Sequence, residues 1–85
     1  MKPLTEQTFL ELLNNVAGQK YLELIQKVRS ENRGIKKEPG FEIHHVHPRG
    51  LGGDKDAKEN LIKLSTLEHC LCHGYLAQSI PLSYT

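Results

Sequence analysis

The sequence predicts an α+β fold: two N-terminal helices, then two short strands and a third helix. Three observations lead there. Apolar residues recur at helical spacing up to about residue 32 and again after residue 65. Two short strand-like runs lie between, separated by a stretch holding Gly50, Gly52 and Gly53. All five histidines fall between residues 44 and 73, across the strands and the last helix.

The elements follow in order. Thr5 can cap a first helix over about 6–17, whose stripe is Phe9, Leu10, Leu12, Leu13 and Val16. Gly18 reads as an interruption. A second helix over about 19–32 repeats the pattern with Tyr21, Leu22, Leu24, Ile25 and Val28, and Gly34 reads as its stop. Lys36 to Gly40 reads as a turn or linker. Phe41 to His45 reads as a strand, Pro48 to Asp56 as a loop, and Leu61 to Leu64 as a second strand. Ser65-Thr66-Leu67-Glu68 is a capping box, so the third helix starts at about Thr66 and runs to about Ser79, before Pro81. On its wheel Leu67, Leu71 and Tyr75 lie opposite His69 and His73, and are expected to pack on the N-terminal helices.

A chain of 85 residues predicts a single domain, 1–85, with a helical part over 1–34 and a strand–strand–helix part over 41–79. One core is marginal at this size, and a bound metal would be a natural staple. No apolar run is long enough to cross a bilayer, and the first residues lack the apolar stretch of a signal peptide. With Cys70 and Cys72 the whole thiol supply, a disulfide framework is set aside and an intracellular setting is expected. The two cysteines read as packing or surface residues, with metal or redox involvement the lesser alternative.

The net charge of +1 conceals an asymmetry: residues 1–37 carry seven Lys/Arg against four Glu, and residues 38–85 carry four against six acids. The run Lys27, Arg29, Arg33, Lys36, Lys37 suits a polyanionic substrate, although a solvated helix end and loop would look the same.

The histidines carry the chemistry. His69 and His73, four apart on a helix, share one face. His44 and His45, adjacent in a strand, point to opposite sides. One of them can join the helical pair around a metal while the other faces a substrate. Three imidazoles, His44, His69 and His73, make a tripod with an open position, the mark of a catalytic rather than a structural site. His47 reads as a solvated loop histidine, with substrate contact or an auxiliary metal role the alternatives. Arg49 reads as a phosphate contact or a plain loop cation.

These residues resemble a known family. Glu42-Ile43-His44-His45, Pro48, Gly52-Gly53, Asn60-Leu61, Leu64, Glu68-His69 and His73 look like the HNH motif, also called the ββα-metal or His-Me finger, of phage-type and homing endonucleases. The resemblance extends upstream to Tyr21–Ile25 and Arg33. The nuclease colicins share the spacing: an Asn sixteen after the first histidine, and histidines twenty-five and twenty-nine after it, which here are Asn60, His69 and His73. The resemblance implies a two-stranded antiparallel hairpin and a helix around one divalent metal held by His44, His69 and His73. It implies His45 as general base, Asn60 as the catalytic-site residue that braces the inter-strand loop, and Glu42 as a supporting acid. The general base needs a pKa near neutrality, as imidazole has, and a histidine that ligates the metal cannot also serve.

The implied activity is hydrolysis of DNA phosphodiester bonds, by nicking or double-strand cleavage. RNA as the substrate is one alternative, since the motif contacts backbone more than bases. A non-catalytic zinc-stabilised binding module is another. Zinc is the expected bound ion, with Mg, Mn or Ni able to support activity. Arg49, Arg33, Lys36 and Lys37 are candidate substrate contacts. The implied setting is a bacterial cytoplasm, for a protein encoded by the bacterium or by a phage, with no membrane partner. Sequence specificity is expected from the N-terminal helices, a homodimer or a larger phage or bacterial protein partner.

Overall fold

A computed structural model describes residues 4–84. It has the predicted α+β architecture. Helices α1 (Glu6–Leu12) and α2 (Val16–Ser30) precede strand β1 (Phe41–His45), strand β2 (Leu61–Ser65) and helix α3 (Thr66–Ser79). Short 3₁₀ turns fill the connections at Arg49–Leu51 and Lys58–Asn60, and another follows α3 at Leu82–Tyr84. The two strands pair antiparallel, with His44 opposite Ile62 and His45 opposite Leu61.

The break between the first two helices is not at Gly18. Thr5 caps α1 as expected, accepting from the Thr8 amide. The chain then turns at Asn14-Asn15, because Asn15 caps α2 by accepting from the Gly18 amide at 2.8 Å. Gly18 thus lies in the first turn of α2. A Cβ there would sit 2.1 Å from the Leu13 carbonyl oxygen, so the residue is glycine for closeness of approach rather than for breaking a helix.

One core joins α1, α2, β2 and α3. It holds Phe9, Leu13, Tyr21, Ile25, Val28, Ile62, Leu64, Cys72, Leu76 and Ile80. The stripe Gly18, Tyr21, Ile25, Val28 is the buried face of α2, at the three-and-four spacing of an amphipathic helix. The capping box forms as predicted: Ser65 Oγ accepts from the Glu68 amide and Glu68 Oε1 from the Ser65 amide.

The packing face of α3 differs from the expectation. Leu67 is 70% exposed and Leu71 41%. The buried face is Cys72, Leu76 and Ser79, beside the histidine face rather than opposite it. The helix must touch two neighbours at once: β1 through its histidines and α2 through Cys72 and Leu76. Those neighbours lie on adjoining sides, so the far side is left to solvent. Tyr75 is partly buried against the core.

A polar cluster ties α2 to the hairpin and α3. Arg33 donates to Glu68 (2.6 and 3.0 Å), to Glu31 (3.1 and 2.9 Å) and to the Lys63 carbonyl (3.1 Å). Lys63, buried, pairs with Glu38. Both cations lie over the Phe41 ring, each 5.7 Å from its centroid.

Candidate metal centre

The seam between β1 and α3 brings three histidines together. His44 leaves the core-facing side of β1 and is buried. His69 and His73 come from successive turns of α3, the first partly buried and the second exposed. One ring nitrogen of each lies within 4.8 Å of the others. Zinc–imidazole bonds of about 2.0–2.1 Å at tetrahedral angles would space ligand nitrogens by about 3.4 Å. His69 Nε2 and His73 Nε2 are already 3.0 Å apart. The donor set fits one divalent ion with small side-chain adjustment.

The ring orientations are set from outside the trio. His69 Nδ1 lies 3.3 Å from Glu42 Oε2. A ligating imidazole held by a carboxylate through its other nitrogen is a recurrent way of fixing its tautomer. His44 Nε2 lies 2.8 Å from the Tyr21 hydroxyl, which is 2.5 Å from the Val46 carbonyl. Burial, with the facing His69, His73 and His45 imidazoles, lowers His44 to about 3. It is therefore neutral near pH 7, the form that ligates a metal. Tyr21 is shifted well above the ordinary tyrosine value, first by burial and then by Cys72, so it stays a phenol.

His45, the next residue of β1, is only partly buried. Its Nε2 lies 3.1 Å from the Lys55 carbonyl. A carbonyl only accepts, so Nε2 carries the proton and Nδ1 keeps its lone pair. His44, His45, His69, His73, Pro48, Arg49 and Ile43 line one shallow hollow. Arg49 is exposed at its edge.

Asn60 is the keystone of the loop between the strands. Its Oδ1 accepts from the His47 amide (2.8 Å), and its Nδ2 donates to the carbonyls of His47 (3.0 Å) and Asp54 (2.7 Å). Its own carbonyl accepts from the Val46 amide. Asp54 in turn folds the next turn, accepting from the amides of Asp56 and Ala57. Those two hydrogen bonds hold its carboxyl below the usual carboxylate range. The Lys55 carbonyl that holds His45 follows directly, so Asn60 and Asp54 place it.

His47 is not the solvated loop residue expected. It is 7% exposed and its ring stacks on Phe9, with centroids 4.4 Å apart and planes 3° from parallel. Its Nε2 lies 2.7 Å from the Leu51 carbonyl. Gly53 packs against the same turn, where a Cβ would fall 1.7 Å from the His47 carbonyl oxygen. His47 thus pins the glycine loop to α1.

Arg33 is also placed differently from the substrate contact expected. Its five N–H donors are matched by the five bonds to Glu31, Glu68 and Lys63 described above, and those charges raise its pKa further. Lys36 and Lys37 remain exposed, with Lys37 beside Glu42 and Ile43. Cys70 is exposed, and Cys72 is a core thiol pushed up to about 12, chiefly by burial. Tyr21 and Asp54 are site-supporting residues that the sequence did not single out. An Asp after paired glycines is an Asx-turn signal that could have flagged Asp54. A Tyr within an apolar stripe gave little sign of its hydroxyl's use.

Two known proteins are similar to parts of this chain. Probable mobile endonuclease E of Enterobacteria phage T4 is 44% identical over 41 residues, 48% of this chain and 28% of that protein. Probable mobile endonuclease C of the same phage is 31% identical over 58 residues, 68% of this chain and 27% of that protein. The chain thus spans little more than a quarter of the length of each. No family model matches it, and no solved structure matches it significantly. Among the described residues no helix is long and apolar enough to cross a membrane.

Proposed function

We propose that this chain is an HNH-type, metal-dependent endonuclease domain that hydrolyses phosphodiester bonds of DNA. In this reading His44, His69 and His73 hold one divalent ion and His45 is the general base. One observation carries the reading: a fourth imidazole borders the three-histidine cluster, with its Nε2 committed to the Lys55 carbonyl and its Nδ1 left to accept a proton. A purely structural zinc site has no need of such a neighbour. The similarity to two phage mobile endonucleases supports nucleic acid as the substrate.

His45 takes a proton from the attacking water through Nδ1, and the Lys55 carbonyl stabilises the imidazolium that results. An ion held by His44, His69 and His73 would supply positive charge to stabilise the phosphoryl and leaving oxygens. Arg49, at the lip of the hollow, binds a phosphate oxygen, with Lys36 and Lys37 as outlying cations. Asn60 acts through the loop that positions His45 and touches no reacting atom, so it is a positioning residue. Three imidazole donors favour zinc or nickel for tight binding, while magnesium or manganese can support turnover.

The test is plasmid cleavage by protein stripped with EDTA and reloaded with each ion, alongside His45→Ala. Wild type should cut with at least one ion. His45→Ala should retain its metal and fold yet lose activity by about 10²-fold or more. A mutant that cuts like wild type would overturn the base assignment. Cleavage of RNA alone would change the substrate, and no cleavage with any ion would leave a zinc-stabilised binding module. Linear product without a nicked intermediate would indicate a homodimer.

A further inference from the structure

We propose that Tyr21 is a positioning residue of the metal centre: it fixes His44 in the tautomer that offers Nδ1, not Nε2, to the ion. The inference rests on the metal-site reading above and adds a residue from α2, outside the strand–strand–helix motif.

Proton bookkeeping carries it. The Tyr21 side chain is fully buried, and its hydroxyl has two partners, the Val46 carbonyl at 2.5 Å and His44 Nε2 at 2.8 Å. A hydroxyl has one proton, and a carbonyl oxygen can only accept. The Tyr21 proton therefore goes to Val46. What remains for His44 is the hydroxyl lone pair, so His44 Nε2 must be the N–H donor. A neutral imidazole has one N–H, which leaves the lone pair on Nδ1.

The two other histidines are arranged the opposite way. Glu42 Oε2 lies 3.3 Å from His69 Nδ1, and His69 and His73 approach each other through Nε2. The predicted donor set is thus one Nδ1 and two Nε2 atoms. Val46 lies between the paired histidines and His47, so the same hydroxyl ties the end of β1 to α2. The metal centre then depends on helix packing as well as on the hairpin.

Two measurements on the full chain decide it, using zinc alone as the probe. In ring-¹⁵N-histidine protein loaded with zinc, long-range ¹H–¹⁵N correlations should show His44 protonated at Nε2 and metal-bound at Nδ1. His69 and His73 should be bound at Nε2. Finding His44 bound through Nε2 overturns the inference while leaving the metal site standing. The wild-type spectrum needs no variant, so a folding defect cannot obscure it. In the second measurement, Tyr21→Phe should bind zinc about 10- to 100-fold more weakly in chelator competition, with a shifted visible spectrum in the cobalt-loaded form. Zinc affinity and cobalt spectrum equal to wild type would overturn it. Failure of the wild type to bind zinc at all would overturn the metal-site reading itself, and this inference with it.

Discussion

Asn60 shows how much one side chain can hold. Its amide satisfies one N–H and two carbonyls of the loop, and through Asp54 it places the Lys55 carbonyl on which His45 depends. Asn60→Ala strands those groups. Each unsatisfied buried or half-buried group costs about 1–3 kcal/mol, tempered here by water reaching the loop. The expected loss is about 2 kcal/mol in urea unfolding, with cleavage falling further than zinc affinity, because the ligand histidines lie outside the loop. A loss of stability under about 0.5 kcal/mol would show that the loop does not need the brace.

The convergence of His44, His69 and His73 was legible in the sequence, because strand alternation and helical periodicity are local rules, whereas Asn60 stood out only through the motif that the chain resembles. What the sequence hid was decided by partners far away in the chain. His47 is buried because Phe9 stacks on it, and Arg33 is consumed by Glu68, 35 residues on. Tyr21 looked like one more core residue. Neither a charge run nor an apolar stripe reports which tertiary partner its members will meet.

At the scale of elements, α3 is held by the cap that starts it. Glu68 closes the capping box and also receives Arg33, and chiefly that guanidinium lowers its pKa from 4.5 to about 2. A carboxyl with a depressed folded-state pKa stabilises the fold above its unfolded value and loses that contribution as pH falls through the folded value. The stabilisation is therefore full above about pH 5 and is lost between about pH 4.5 and 2. Glu68→Gln keeps a carbonyl for the Ser65 amide, so the box survives while the charge goes. Near pH 7 the variant should be less stable by roughly 2 kcal/mol. The gap should close on acidification through that window, as read from paired urea titrations at several pH values. A gap that does not change with pH would show that the ion pair contributes nothing beyond the hydrogen bond. The helical wheel places Leu67 and Leu71 in the core, opposite the histidines, yet both are exposed. A helix seated in the corner between a strand and another helix buries two adjoining faces, and a single apolar stripe does not reveal the corner.

On the scale of the whole molecule, the apolar core and the histidine seam lie in different places. The apolar cluster binds α1, α2, β2 and α3, but β1 contributes no member to it, and its one buried residue is His44. What faces α3 from β1 is imidazole, with Glu42 reaching to His69. The three imidazoles that converge there come from two successive turns of α3 and from the buried strand residue His44. An ion held by His44, His69 and His73 would cross-link β1 to α3, a seam to which β1 brings no member of the apolar cluster. Ligand binding to the native state alone adds about 2.7 kcal/mol at a hundredfold excess over Kd. In a domain of this size that corresponds to a rise in Tm of roughly 10–20 °C. Zinc-loaded protein should therefore melt well above EDTA-stripped protein, and the increment should shrink in a His73→Ala variant, whose exposed side chain can be removed without opening the core. Coincident melts of the stripped and loaded forms would show that the histidine seam holds no ion under those conditions, and that the strand is kept in place by its ladder and the Tyr21 hydroxyl alone.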